Sequence, residues 1–314
     1  MRCVRYDSNA SPRFRAAPPT HAPFAQFFPD AVEITLPPKA IVEELLQLDQ
    51  CDARGVGPDA APRLSRVPRA LRATLRPFQT DAVEFAIRRD GRVLLADEMG
   101  LGKTLQALAI SAAFSDDSWP ALVLCPTSVR EVWVEMLERW IPQLQPRELC
   151  VLRRRFDMVC PARVTVASYT MAGLLRDPVL REHRSRPYGM IIVDESHALQ
   201  YQHNAAKQQT KAYQLVQDLC KPQATRPRPR LLMLSGTPML RDPDSLYGQL
   251  ALLRPALFPH YRAFGERYCQ TFSHGHWSGS HPQHQAELAL YLRACVMMRR
   301  GKEEVALLAL TCRQ

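Results

Sequence analysis

The chain has 314 residues, 46% of them hydrophobic, which is enough for one large or two ordinary domains with a sizeable core. Lys and Arg number 41 against 31 Asp and Glu, a formal net charge of +10 with a sequence pI near 9.3, so a polyanionic partner is expected, nucleic acid before an anionic membrane. No apolar run approaches the ~18 residues of a membrane span and no membrane partner is expected, while nine scattered cysteines without a C-x-x-C pair point to buried free thiols in a reducing compartment.

Residues 1 to about 30 are rich in Ala, Pro and Arg without a sustained period and are expected to be unstructured. Arg2, Arg5, Arg13 and Arg15 with one acid, Asp7, fit either a disordered basic tail or an organellar transit peptide; the apolar core of a secretory signal is missing. Phe24, Phe27 and Phe28 are the apolar exceptions, suited to anchoring the tail. After Pro37-Pro38, a short amphipathic helix is predicted over Lys39–Leu48, with Ile41, Val42, Leu45, Leu46 and Leu48 on one face. Asp49–Pro62, polar with Gly and Pro, reads as a linker. Residues 1–68 are thus a partly disordered N-terminal segment carrying one helix.

The main domain opens near Pro68. Leu75-Arg76-Pro77-Phe78-Gln79 begins a helix through Ile87 whose Phe78, Ala82, Phe85 and Ala86 face inward. The Gln79 carboxamide has the donor and acceptor to pair with adenine N7 and N6, with Arg76 beside it, although a glutamine at a helix start also serves as a solvated cap. Arg92–Ala96 is a short apolar run and Lys103–Ala113 has helical spacing, so Leu94–Thr104, LLADEMGLGKT, contains a strand-to-helix turn. There Gly100 and Gly102 let the backbone curl and aim N–H groups at phosphate oxygens on a helix N-terminus. Lys103 would reach the β- and γ-phosphates and the Thr104 hydroxyl would join a Mg²⁺ shell, which makes ATP and Mg²⁺ the predicted cofactors. Asp97 stands where the strict P-loop pattern has Gly, a departure that suits helicase-like ATPases better than kinases or small GTPases.

Further strands are predicted at Ala121–Cys125, Arg163–Ala167, Met190–Val193 and Leu231–Leu234. The first leads through Pro126-Thr127-Ser128 into a helix carrying Val132, Trp133, Met136, Leu137 and Trp140; the second leads through Ser168-Tyr169 into another. This alternation implies an α/β fold, a parallel sheet with helices on both faces and ligands gathered at the strands' C-terminal ends. MIIVDESH over Met190–His197 delivers two adjacent carboxylates: Asp194 to hold Mg²⁺ through water, Glu195 to orient and deprotonate the attacking water. In LLMLSGTP, Ser235 and Thr237 are placed to hydrogen-bond to His197 and sense a γ-phosphate, with a plain strand-ending turn as the alternative. The loop Gln223–Arg230, with Arg226, Arg228 and Arg230, reads as added phosphate contacts or as a solvated insertion. His274, His276, His281 and His284 near Cys269 match no structural-zinc spacing.

Together, LRPFQ, LLADEMGLGKT, ALVLCPTSVREVW, VTVASYT, IIVDESH and LLMLSGTP resemble, in order and spacing, the SWI/SNF-like ATPases of helicase superfamily two over about residues 70–300. RPALFPHYRAFGERYC, WSGS and AELALYLRACVMMRR resemble its annealing-helicase, HepA-related branch. The resemblance implies a RecA-like P-loop lobe over residues 69–255, with a truncated C-terminal helical extension over residues 256–314. It implies an ATP hydrolase that tracks along double-stranded or forked DNA without sequence preference and rewinds it at replication forks, in the nucleus, with replication or repair proteins as further partners. It also implies that Gln79 reads adenine, Lys103 and Thr104 bind phosphate and Mg²⁺, Asp194 and Glu195 catalyse, and His197 with Ser235, Gly236 and Thr237 couples hydrolysis to DNA. Pro126, Thr127, Ser128, Arg130, Ser168 and Tyr169 become the DNA contacts, through amides and hydroxyls that suit phosphate and make binding salt-sensitive.

Members of that family continue into a second RecA-like lobe bearing an arginine finger, whereas here the match frays from Gly301, where a leucine is expected, and Leu308-Ala309-Leu310 replaces the usual Leu-Pro. With the second lobe absent before Gln314, a fragment or a prematurely ended gene product is expected, one that binds ATP but hydrolyses it poorly, since an arginine finger supplies ~10³ to 10⁵ in rate. A non-catalytic ATP- and DNA-binding module is the alternative. An RNA helicase is a third reading, disfavoured by Asp-Glu-Ser-His where Asp-Glu-Ala-Asp is usual.

Overall fold

The apolar runs of the main domain assemble into one sheet. The computed structural model describes residues 13–15, 33–35, 37–53, 60–199, 201, 210–222, 227–240, 242–273 and 276–311. Its central strands are β1 (Val93–Leu95), β2 (Ala121–Cys125), β3 (Leu149–Leu152), β4 (Val164–Ser168), β5 (Met190–Asp194), β6 (Arg230–Leu234) and β7 (Met297–Met298). They form a 7-stranded sheet in the order β7-β1-β6-β5-β2-β4-β3, and every pairing is parallel.

Parallel strands need crossovers that cover both faces, so both alternating sets of side chains are buried. Leu122, Leu124, Ile191, Val193, Leu231 and Met233 enter one apolar layer, together with Leu215 and Leu219 of helix Lys211–Leu219 and Leu250 of helix Asp244–Leu253. Val123, Met190, Ile192, Leu232 and Leu234 enter the other, with Ala82 of helix Pro77–Arg88, Leu108 of helix Lys103–Ala113 and Leu137 of helix Arg130–Trp140. Fully burying each Val, Leu or Ile contributes about 1.5–3 kcal/mol, so the sheet is the rigid part of the chain. The result is the expected α/β, RecA-like lobe.

Several elements depart from expectation. The helix predicted to end at Leu48 runs over Lys39–Ala53, because nothing between Asp49 and Ala53 breaks it, and a further helix, Ala60–Ser65, begins in the last residues of the expected linker and runs past Pro62. Its apolar stripe is split: Ile41 is buried and Leu45 packs on the core, while Val42 and Leu46 face solvent. Glu44 explains that rotation, accepting from Arg254 Nε at 2.8 Å and from the Tyr291 hydroxyl at 3.0 Å. Strand β3 carries only a short half-buried pattern, and β7 lay hidden in a stretch expected to be helical. The segment after residue 255 also holds an antiparallel hairpin, Cys269–Ser273 with His276–Ser280, around the WSGS motif. Phe24, Phe27, Phe28, Arg226 and His274 lie outside the described residues.

Candidate functional site

Sheet register gathers the separated motifs. Leu95 of β1 and Asp194 of β5 both pair with Leu234 of β6, so three strands end abreast. At ~4.8 Å per strand, the turns that follow start within roughly 10 Å of one another. The ladder continues one step, with Ser235 N–H donating to the Leu95 carbonyl at 3.0 Å.

The first turn enters helix Lys103–Ala113 through Gly102, which has φ +79° and ψ +37°, after Gly100 at φ +88°. A β-carbon on Gly102 would come within 2.5 Å of Gln79 Nε2, so both conformation and space require glycine. The Lys103 ammonium folds back on the turn and donates to the carbonyls of Asp97 at 2.8 Å and Glu98 at 3.4 Å. Burial lowers its pKa, opposed by the carboxylates of Glu195, Asp97 and Asp194, so the lysine lies in the field of both acids of the second turn. Thr104 follows it, half-buried. Gly236 approaches from β6: a β-carbon there would lie 3.7 Å from Lys103 Nζ and 2.7 Å from Met99 Cγ.

The second turn holds its acids by different means. Burial raises the Asp194 pKa, countered by hydrogen bonds from the Trp133 indole and the Glu195 backbone and by the Lys103 charge. Those bonds are Trp133 Nε1 to Oδ2 at 2.8 Å and Glu195 N–H to Oδ1 at 3.0 Å. His197 Nδ1 lies 3.3 Å from Glu195 Oε2 and 2.9 Å from Ser235 Oγ, and Ser235 Oγ accepts from Thr237 N–H at 3.1 Å. Of the two residues expected to meet His197, Ser235 does so, and Thr237 is joined to it through Ser235. Gln249 seals it from behind: Ser196 Oγ donates to its Oε1 and its Nε2 donates to the Pro238 carbonyl, both at 2.7 Å.

Other residues expected at the site are placed differently. Asp97 is fully buried, clasped by Arg300 through Nε–Oδ1 at 3.0 Å and Nη2–Oδ2 at 2.6 Å, with Gln106 Nε2 donating to Oδ2 at 3.0 Å. Its carboxylate is turned into the fold, where it braces the turn before helix Lys103–Ala113. Gln79 is also buried: Oε1 accepts from Arg76 N–H at 2.9 Å and Nε2 donates to the Leu101 carbonyl at 3.1 Å, leaving one N–H and one lone pair. Ser168 is buried because its hydroxyl caps helix Tyr169–Leu174, accepting from Met171 N–H at 3.3 Å. The Tyr169 hydroxyl turns inward to the Asp194 carbonyl. Arg130 is spent on Glu131 at 3.1 Å and the Leu152 carbonyl at 3.5 Å. Thr127 and Ser128 remain exposed, beside a half-buried Pro126. Arg230 begins β6, at the opposite end from the site, and pairs with Asp90 at 2.7 Å.

Sequence reasoning missed Arg300, Trp133 and Gln249 as parts of the site. Arg300 carries the strongest structural consequence: Ala96 N–H donates to the Met298 carbonyl at 2.7 Å and Glu98 N–H to the Arg300 carbonyl at 3.0 Å, so β7 and its extension line the outer flank of the turn after β1. Lys302 N–H closes that flank on Glu98 Oε2 at 2.8 Å. The one available signal was Asp97, an acid in a slot that otherwise demands glycine and so one in need of a cation.

Residues 78–312 match the family model of the SNF2-related domain. The chain belongs to this family. The SNF2-related span opens one residue before Gln79 and includes both Asp97 and Arg300. Among similar proteins is the Xenopus tropicalis SWI/SNF-related matrix-associated actin-dependent regulator of chromatin subfamily A-like protein 1, 37% identical over 244 residues, covering 77% of this chain and 24% of the relative. The Mus musculus DNA annealing helicase and endonuclease ZRANB3 is 36% identical over 250 residues, covering 77% of this chain and 22% of the relative. The chain thus spans about a quarter of the length of the curated relatives it matches. Among solved structures, the Sulfolobus solfataricus SWI2/SNF2 ATPase core domain superposes with a TM-score of 0.56 at 26% identity, over 77% of this chain and 46% of that one. The same core in complex with dsDNA gives a TM-score of 0.55 at 24% identity over 74% and 46%, a likeness of fold. The likeness to annealing helicases read from the sequence therefore holds.

Proposed function

We propose that this chain is the ATP-binding first lobe of a nuclear DNA-dependent ATPase, a double-stranded DNA translocase that rewinds DNA at replication forks. The observation that carries the reading is the convergence at one sheet edge of a glycine-built turn, the Lys103 ammonium and the Asp194 and Glu195 carboxylates. In this reading the N–H groups of Gly100, Gly102 and Lys103 and the Lys103 ammonium take the phosphates, Leu101 N–H staying on the Glu98 carbonyl at 3.2 Å, and Lys103 exchanges its carbonyl partners for phosphate oxygens. Glu195, steered by His197, orients the attacking water and takes its proton. The His197–Ser235 hydrogen bond lets the Ser235–Thr237 turn report on the occupied site. Gln79 braces the phosphate turn from behind, and its remaining N–H and lone pair are what it has left for adenine.

Mg²⁺ fits the donor set. Asp194 and Thr104 offer hard oxygen donors beside the lysine, and in nucleotide sites this ion takes one or two protein ligands, with phosphates and waters completing its shell. When bound it would supply charge neutralisation of the transferring phosphoryl group. Duplex or forked DNA is proposed to lie against Thr127 and Ser128, two exposed hydroxyls at a helix start that suit phosphate and ignore sequence.

The test is ATP turnover by this chain with and without forked DNA, beside Glu195→Gln. DNA-stimulated turnover that the substitution abolishes, at least about 10²-fold as for loss of a general base, supports the proposal. Saturable binding of ATP and DNA with no turnover in either protein would make the chain the non-catalytic module instead. A preference for RNA over duplex DNA in competition would overturn the DNA assignment.

A further inference from the structure

The turn that carries both carboxylates does not support itself. Glu195 sits at φ +52° and ψ +50°, left-handed backbone that is strained for a residue with a β-carbon. Such a conformation persists only where its surroundings over-determine it. Part of the hold is local: Glu195 N–H donates to Asp194 Oδ1, and Ala198 N–H donates to the Glu195 carbonyl, both at 3.0 Å. The rest arrives from outside the turn. Trp133, 1% exposed, donates its indole N–H to Asp194 Oδ2 at 2.8 Å. The Tyr169 hydroxyl points at the carbonyls of Asp194 and, at 3.4 Å, Glu195.

Both donors stand directly behind loops at the C-terminal end of the sheet. Trp133 belongs to helix Arg130–Trp140, which continues the turn Thr127–Val129 after β2. Tyr169 opens the helix after β4, with Ser168 as its cap. Thr127 and Ser128 are exposed in the first case, and Thr170, in the first turn of the helix, in the second. Since β2 lies between β5 and β4, a polyanion laid across these strand ends meets both loops at once.

The geometry points to Trp133 and Tyr169 as positioning residues, a pair of donors that passes contact at the β2 and β4 loops to the Asp194–Glu195 turn. This rests on the DNA-dependent ATPase reading and adds to it the route by which DNA reaches the carboxylates. Neither side chain need touch nucleotide or DNA. Each sets the orientation of one acid: Trp133 fixes the Asp194 carboxylate, and Tyr169 fixes the peptide units on either side of the left-handed residue.

Hydrogen exchange on the full chain tests the route without relying on turnover, at low salt where phosphate contacts are strongest. Duplex DNA should slow exchange in the wild-type chain at Thr127–Arg130 and, at a distance, at Glu195–Leu199, by at least about fivefold, the lower end of ordinary coupling between sites. In Tyr169→Phe, which removes one oxygen and leaves the ring to pack, slowing at Thr127–Arg130 should persist while that at Glu195–Leu199 falls below about twofold. Trp133→Phe, a second variant that removes the indole N–H, should do the same. Slowing at Glu195–Leu199 that survives both substitutions, or wild-type slowing confined to the β2 loop, overturns the relay while leaving DNA binding intact. Absence of slowing anywhere in the wild-type chain removes the DNA reading itself, and the relay with it.

Discussion

Replacing Arg300 isolates what the edge of the sheet does for the P-loop. Arg300 is 7% exposed and Asp97 is 0% exposed, so the two charges are paired away from water. The guanidinium makes both bonds to the Asp97 carboxylate and a further one to the Phe78 carbonyl, and it lies 5.1 Å from the centre of the Phe78 ring. In Arg300→Met the apolar stem is kept but Asp97 is left with Gln106 as its charge-free partner. Removing one member of a buried pair costs about 3–5 kcal/mol, because the remaining charge stays desolvated. That is a large share of the roughly 5–15 kcal/mol by which a domain is stable. At about 2–4 °C per kcal/mol the melting temperature should fall by roughly 6–20 °C. The double variant Asp97→Asn with Arg300→Met removes both charges and should recover about 1–3 kcal/mol relative to the sum of the single changes, a coupling read from a double-mutant cycle by denaturant unfolding. Binding of a fluorescent ATP analogue should weaken in the single variant, since the flank of the phosphate turn is freed. A cost below about 1 kcal/mol, the size of an exposed pair, or strictly additive single changes, would show that the P-loop does not depend on this brace.

Two other changes bear on the same site. Gly102→Ala places a β-carbon at φ +79° and 2.5 Å from Gln79 Nε2, so a loss of about 1–2 kcal/mol from backbone strain alone is expected, with weaker nucleotide binding; an unchanged melt would refute the need for glycine. Asp194 has its folded-state pKa raised from 3.8 by burial, so its contribution to stability is fully present below pH 3.8 and is lost as pH rises through the raised value. Asp194→Asn keeps one acceptor for Trp133 or Glu195 N–H and sets its amide NH2 against the other, a cost that does not depend on pH, so the stability of the variant relative to the wild-type chain should rise from pH 3.8 to pH 7; a difference that does not rise with pH would contradict the cause given for the shift.

Legibility from the sequence followed burial and period. The strands Ala121–Cys125 and Met190–Asp194 are unbroken apolar runs up to their polar ends, because parallel sheets are covered on both sides. Helix Lys103–Ala113 was readable because glycines stop before it and apolar spacing runs through it. What stayed hidden has no period to read. Two residues, Met297 and Met298, become a strand solely because β1 offers them an open edge, and in sequence they continue a helical pattern. Side-chain direction was hidden as well: Ser168 and Tyr169 have the chemistry of phosphate contacts, but a cap and an inward hydroxyl are equally good uses of the same groups.

Asp97 and Glu195 show why these two kinds of knowledge diverge. A motif reports which residue types a site tolerates, and both acids sit in motifs that point to phosphate chemistry. Glu195 stays part-exposed at the C-terminal end of the sheet because β5 ends there and a left-handed turn swings it beside His197. Asp97 does not, although it is only six residues from Lys103, because a cation more than two hundred positions away in sequence reaches it first. An acid in a slot for glycine has either to pair with what the slot binds or to be neutralised by the fold, and a phosphate site repels it. Electrostatics therefore demands a buried cation beside Asp97 wherever the turn beyond it is to hold an anion, and Arg300 meets that demand while the backbone around it ties the turn to the edge strand β7.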